Sequence, residues 1–426
     1  MRKELSMTLS RVPSRGVFSG ISRRSFLRAT ALLGLTPIPR VLLGAAERVP
    51  ADDDRVLLVL ELTGGNDGLN TVIPFEDPIY QRSRPSLAIG KDRALRLDPG
   101  SAGGAGDPIL GFHPSMKALR DLHDEGAVAV IQGVGYPNPS RSHFRSMDIW
   151  HSGRPDVEDP RSGWLGGAVQ RNRDRLGAID IGDEKLPLAL SSEAHVPVLR
   201  NLDWVDSLAT DRGRELRTRL RALNAIERGG DAERVRSLAL STLEDLEELI
   251  RIREKPAPAA YPESRIGERL KWAGQLIGGG FSSRIYYVSQ GGYDTHAQQK
   301  DLHAELLRQV SEAIGAFHAH MKALGASRRV AVLVFSEFGR RLAENNGLGT
   351  DHGCAAPVLL VSGGVRGGLH GAHPSLQDLD EGDLRFHTDF RRVYATLLED
   401  VLGTPAEPIL GGRFEKLDLF PRGRMF

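Results

Sequence analysis

Arg55-Val-Leu-Leu-Val-Leu-Glu-Leu62, followed at once by Thr63-Gly-Gly-Asn-Asp-Gly-Leu-Asn-Thr71, is the stretch on which the fold turns. A near-continuous run of Val and Leu suits a strand buried on both faces, as in a parallel sheet, and the glycines behind it let the chain turn sharply at the strand's end. The same signature recurs at Ala127–Gly133, Arg284–Ser289, Val330–Phe335 and Pro357–Val361. Between these runs, apolar residues at three- and four-residue spacing predict helices over Ser115–Glu125, Ser142–Ser152, Gln299–Leu324 and Phe390–Leu402. Strands alternating with helices give an α/β fold: a doubly wound, mostly parallel sheet with helices on both faces. From Val205 to Ile277 the texture becomes a charged run with helical spacing, broken by Lys255-Pro256-Ala257-Pro258, which reads as a helical insertion with a solvated surface.

In an open parallel sheet the loops at the carboxyl ends of the strands converge on one crevice, so polar residues far apart in sequence meet there. Four loops are polar. The first carries Asn66 and Asp67, whose oxygens suit a cation, although Asn-Asp-Gly is also ordinary turn chemistry. The second, Tyr136-Pro-Asn-Pro-Ser140-Arg141-Ser142-His143, opens a helix. Its serines are natural caps, and the same helix end favours a bound phosphate or sulfate. The third, Gly291-Gly-Tyr-Asp294-Thr-His296, sets a carboxylate and an imidazole two residues apart. The fourth region combines Ser336-Glu337-Phe338-Gly339-Arg340 with Gly349-Thr-Asp351-His352-Gly353. Each loop alone has a plain structural reading, and the joint pattern points to a metal site.

At the amino end, Ser22-Arg23-Arg24-Ser25-Phe26-Leu27-Arg28 fits the twin-arginine export signal, and a broken apolar run from Ala29 to Ala46 follows. Interrupted by Pro37, Pro39 and Arg40, that run is a poor membrane span, and Gly44-Ala45-Ala46 offers a cleavage site. Residues 1–46 are therefore expected to be a signal peptide and 52–426 the mature domain, placed in the periplasm or secreted, with the twin-arginine machinery as a partner and no stable membrane span after cleavage. That machinery accepts folded cargo, often metal-loaded. The segment holds eight Lys/Arg and one acidic residue, so the chain's net charge of +1 less this +7 leaves −6 for the mature protein. A negative protein argues against a nucleic-acid partner. The single cysteine, Cys354, excludes an intrachain disulfide and a cysteine-rich metal site.

GGNDGLNT, SRSHF, GGYDTHAQQ, FSEFGR and GTDHG, in this order behind a twin-arginine signal, resemble the domain-of-unknown-function 1501 (DUF1501) family of exported bacterial proteins, from about Arg55 onward. That family in turn resembles the alkaline phosphatase and sulfatase superfamily, which implies an alkaline-phosphatase-like core and a divalent metal: zinc, manganese, calcium or iron. The resemblance implies metal ligands at Asp67, Asp294, His296, Glu337 and His352. Phe338 departs from it, standing where a histidine ligand is expected. The residue two before Pro139 is Pro137, which is no nucleophile, so Ser142 or Ser140 would serve, with His143 orienting it or binding the anion. Arg141, Arg340 and Asn66 are the expected substrate-binding residues, because a guanidinium forks onto phosphate or sulfate oxygens.

The resulting expectation is a metal-dependent hydrolase of phosphate or sulfate esters in the cell envelope. Its rival is an exported binding or assembly protein that kept the fold and lost the chemistry, a reading motivated by Phe338. A serine esterase built on Ser142 and His143 carries less weight, since neighbouring side chains on one helix point in different directions and no glycine-flanked nucleophile elbow is present.

Overall fold

The computed structural model describes residues 55–97, 108–172, 176–182, 185–194, 196, 198, 199, 203–226 and 230–421. The signal peptide and cleavage site expected over residues 1–46 lie outside the described residues. Eight strands form the central sheet: β1 (Val56–Thr63), β2 (Val128–Gly135), β3 (Gly177–Asp180), β4 (Ser283–Gly291), β5 (Val330–Phe335), β6 (Ala356–Val361), β7 (Gly368–His370) and β8 (Thr388–Asp389). Their order is β7-β2-β6-β5-β1-β4-β3, with β8 also paired to β2. Every pairing is parallel except those of β6, which runs antiparallel to both β2 and β5. That one reversal decides where the site forms, because the chain entering β6 arrives at the edge where its neighbours end.

The main helices are α1 (Lys117–Asp124), α2 (His143–Ser152), α3 (Trp164–Arg171), α4 (Asp203–Ala209), α5 (Asp211–Leu223), α6 (Asp231–Glu254), α7 (Arg265–Gly278), α8 (Gln299–Ala323) and α9 (Phe390–Thr396). They cover both faces of the sheet. Successive β1 side chains alternate between two cores. Leu58, Leu60 and Leu62 pack with Leu119 of α1, Leu270 of α7 and Phe317 of α8, whereas Leu57 and Val59 pack with Trp150 of α2, Leu165 of α3 and Tyr394 of α9. Full burial of each such side chain is worth about 1.5–3 kcal/mol. The sheet is therefore doubly wound, as its buried runs require.

Two details differ from the sequence reading. β3 is the four-residue run GAID, too short and too weakly β-branched to stand out, and it is held by pairing with β4. α9 leaves α geometry after Thr396 and continues as a π turn over Leu397–Val401. Among the described residues, no helix is long and apolar enough to cross a membrane.

Candidate metal centre

Four strand ends and one strand start build the crevice. After β1 the chain makes its glycine turn. Gly64 and Gly65 have φ of +120° and +73°. A Cβ on Gly64 would stand 2.5 Å from Asp294 N, and one on Gly65 2.2 Å from the Phe338 ring, so only glycine fits these two positions. β4 delivers Asp294 and His296, β5 delivers Glu337, and the ribbon Arg340–Glu344/Thr350–His352 carries His352 to the same edge before β6 begins. The loop after β2 brings His143 there as the first residue of α2.

His143, Asp294 and His352 each offer a ligand atom within 4.8 Å of the others. His352 Nε2 lies 3.2 Å from Asp294 Oδ1, His296 Nε2 lies 3.0 Å from the same oxygen, and the two Nε2 atoms are 2.9 Å apart. His143 Nε2 is 3.5 Å from Asp294 Oδ2. Atoms that bind one ion at about 2.0–2.1 Å stand about 3 Å from each other, so the spacing suits a shared cation.

The far side of each ring is held by an oxygen. His143 Nδ1 donates to Glu337 Oε1 at 2.9 Å, His296 Nδ1 faces Asp351 Oδ1 at 3.3 Å, and His352 Nδ1 donates to the Arg141 carbonyl at 2.8 Å. A proton fixed on Nδ1 leaves the Nε2 lone pair directed at Asp294, the arrangement that metal-binding histidines adopt. His143 Nε2 is buried without a hydrogen-bond partner, an orphaned acceptor of the kind a cation would satisfy. Partial burial works to raise the pKa of Asp294, but the hydrogen bond and charge of Arg340, joined by His352 and His296 whenever those rings are protonated, outweigh it and hold the carboxyl down at about 2.

Glu337 is fully buried. Its Oε1 also accepts Gly64 N–H at 2.8 Å, and Oε2 lies 2.9 Å from Ser336 Oγ. It thus positions His143 from behind and is placed outside the ring of converging atoms. Phe338 packs its ring against those of His143 and His352, with centroids 4.9 and 4.7 Å away. Phe338 itself offers no donor atom, and His143 of α2 brings an imidazole to the same edge from another element.

Several expected residues go elsewhere. Asp67 is buried in an ion pair with Arg84 at 2.6 Å; its oxygens also accept from Gln299 Nε2 and Asn70 N, so neither is free for a cation. Asn66 is buried, accepting from His303 Nε2 at 2.9 Å and donating to Thr71 at 2.9 Å, and it cannot reach a substrate. Arg340 is buried beneath the loops and donates to the carbonyls of Gly64, Gly65, Tyr293 and Thr350 and to Asp294. Its role is to fasten loops, with no donor facing an incoming oxyanion. Arg141 is drawn to Asp383, with Nε at 2.7 Å and Nη2 at 2.6 Å. Ser140 Oγ accepts from Ser142 N at 3.2 Å. Ser142 occupies the N-cap of α2 without a side-chain cap bond, and it is exposed. Asp294 does not cap α8, which starts at Gln299 behind Gln298 in the left-handed region.

Sequence reasoning missed Arg84, His303, Asp351 as a brace for His296, and Asp383. Asp383 is a buried carboxylate that accepts from Arg141 and from Cys354 Sγ at 3.0 Å. It therefore ties together the loops that carry His143 and His352. Burial first, then this carboxylate, push the Cys354 thiol up to about 12, which makes it unfit as a ligand. Nothing local marks Asp383 in sequence, because its partners are about 240 and 30 residues away.

Residues 54–402 match the family model described as "Protein of unknown function (DUF1501)". Among curated proteins no sequence matches. Similar solved structures include a protein in the alkaline phosphatase superfamily from Vibrio parahaemolyticus, 9% identical, with TM-score 0.38 over 84% of this chain and 69% of that one. The PsFucS1 sulfatase from Pseudoalteromonas sp. is 12% identical, with TM-score 0.37 over 89% and 74%. Lipooligosaccharide phosphoethanolamine transferase A from Neisseria meningitidis is 10% identical, with TM-score 0.41 over 92% and 64%.

Proposed function

The chain belongs to the DUF1501 family, and we propose that it is a metal-dependent hydrolase of phosphate or sulfate esters whose cation is held by His143, Asp294, His296 and His352. The single observation that carries this reading is the convergence of three Nε2 atoms on Asp294 while each Nδ1 faces an oxygen. Imidazole-rich donor sets favour zinc, iron or manganese over calcium, which takes oxygen ligands. Bound there, such an ion supplies positive charge beside the ester oxygen and lowers the pKa of a bound water or hydroxyl.

The chain's own residues supply the rest. Arg340 and its neighbours keep Asp294 ionised, Glu337 and the Arg141 carbonyl keep His143 and His352 in the ligating tautomer, and Asp351 does the same for His296. Ser142 stands exposed at the start of α2, where free backbone N–H groups and the helix dipole favour an oxyanion. Its hydroxyl is the nucleophile of this reading. His143 cannot be its base, since Nδ1 is taken by Glu337 and Nε2 faces Asp294. Hydrolysis adds water across the P–O or S–O bond and releases the acid and an alcohol.

The test is turnover of aryl phosphate and aryl sulfate esters by the full chain loaded with zinc, iron or manganese, beside Ser142→Ala and a metal-stripped sample. The reading requires hydrolysis that falls at least about a hundredfold in both controls. A second reading, a binding protein without turnover, is favoured by the occupation of Arg141, Arg340 and Asp67 by other side chains and carbonyls. Metal-loaded protein that binds phosphate or sulfate but cleaves none of these esters would decide for it. Under both readings the protein leaves the cytoplasm by the twin-arginine route, so replacing Arg23 and Arg24 together by Lys should retain it inside the cell.

A further inference from the structure

Resting on the anionic-ester reading above, we propose that Phe144 is the specificity wall of the crevice, and that the ester it selects carries a six-membered ring, aryl or pyranose, in its leaving group. Phe144 is 88% exposed, the most exposed large apolar side chain among the described residues. It follows His143 directly, in the first turn of α2. A solitary exposed aromatic is unremarkable on an open surface, but the residue before this one, His143, is one of the four converging metal-ligand candidates.

Helical geometry sets its direction. Seven residues along the same stripe, His151 reaches down to the sheet, where its Nε2 meets Glu61 of β1 at 3.2 Å and the Tyr287 hydroxyl of β4 at 3.1 Å. Phe144 therefore stands about 10 Å higher on that stripe, over the carboxyl ends of β1 and β4. The floor there is clear. Gly291 and Gly292 are exposed, and a Cβ on Gly291 would meet nothing within 4 Å. Across the cluster, Leu348 is 43% exposed in the turn that leads to His352. An anion seated at Ser142 and the metal ligands thus has an apolar face beside it and open space above the glycines, which is the shape a phenyl or pyranose ring fills.

The test is calorimetric titration of the metal-loaded full chain with three non-hydrolysable anions: phenylphosphonate, methylphosphonate and a glucopyranosyl methylphosphonate. Bound metal and thermal unfolding are measured in parallel to verify folding. Stacking on one aromatic ring should make a ring-bearing anion bind about three- to tenfold more tightly than methylphosphonate. Phe144→Ala should bring that ratio near one, and Phe144→Trp should keep or raise it. Preference for phenyl alone identifies an aryl leaving group, and preference for the sugar a glycosyl one. A wild-type protein that binds methylphosphonate and the ring compounds equally overturns the proposal, as does a preference that survives Phe144→Ala. Metal-loaded protein that binds none of the three overturns the anionic-ester reading itself, and the wall falls with it.

Discussion

Glu337 gives the sharpest handle on the site, because two substitutions there separate charge from hydrogen bonding. Its Oε1 accepts Gly64 N–H and His143 Nδ1–H at 2.8 and 2.9 Å, and its Oε2 lies 2.9 Å from a Ser336 hydroxyl that also donates to Leu62 O at 2.6 Å. In Glu337→Gln, the amide oxygen can keep both Oε1 bonds while the new NH2 donates to Ser336 Oγ, whose own proton goes to Leu62. Only the negative charge behind His143 is lost. Loss of such a brace weakens metal binding about 10- to 100-fold, or about 1.4–2.7 kcal/mol, with metal-free stability changed by no more than ~1 kcal/mol. Glu337→Ala instead leaves two buried N–H groups unpaired, each costing about 1–3 kcal/mol, and should unfold several kcal/mol more easily. Competition titration of zinc against a chromophoric chelator reads the first effect, and denaturant unfolding of metal-free protein reads the second. If Glu337→Gln binds zinc as tightly as the parent, the assignment of His143 as a ligand braced by Glu337 is refuted.

Three further outcomes follow from the same geometry. Arg84→Met strands Asp67 in the interior and should destabilise the fold by about 3–5 kcal/mol, yet folded protein at low temperature should keep its metal, since Asp67 is no ligand; loss of metal from folded Arg84→Met would contradict this. Burial foremost, helped by the charges of Arg84 and Arg340 against the opposing charge of Asp67, pushes His303 down to about 4. The unfolded imidazole takes its proton near 6.5, so the unfolded state binds more protons between these values and stability falls as pH drops through that window, by up to about 3 kcal/mol. Denaturant unfolding from pH 7 to 4 should show that slope in the parent and a shallower one in His303→Gln, with the remainder shared by His113, held at about 3 chiefly by burial, and by His318 and His320, which burial also lowers. Asp383→Asn should lower zinc affinity about tenfold by releasing Arg141, whose carbonyl orients His352, and should make Cys354 react faster with a thiol reagent.

What the sequence disclosed depended on whether the determining contacts were local. Buried strands announce themselves, because Val56–Thr63, interrupted only near its end by Glu61, and Val330–Phe335 are apolar runs between polar loops. The convergence of the loops after the parallel strands followed from topology, and with it the meeting of Asp294 and His296 at the edge where Glu337 follows its strand. The antiparallel course of β6 left no trace in its own residues. It is visible only through pairing with β2 and β5, yet it brings His352 to the crevice. The errors concern charged groups whose partners lie far along the chain. Asp67 has the loop chemistry of a ligand until Arg84 is seen 2.6 Å away, and Arg340 resembles an anion binder until its donors are found on four carbonyls and Asp294. In sequence, His143 reads as orienting a serine or binding the anion. Its ring is turned instead by Glu337, about 190 residues away, toward Asp294.

The most direct test of the metal centre is elemental analysis of the full chain purified without chelators, beside an Asp294→Ala/His352→Ala double variant whose fold is checked by circular dichroism. The account expects about one equivalent of zinc, iron or manganese in the parent and none in the folded double variant. Folded parent protein that carries no metal and takes up none when zinc, iron or manganese is added would contradict it.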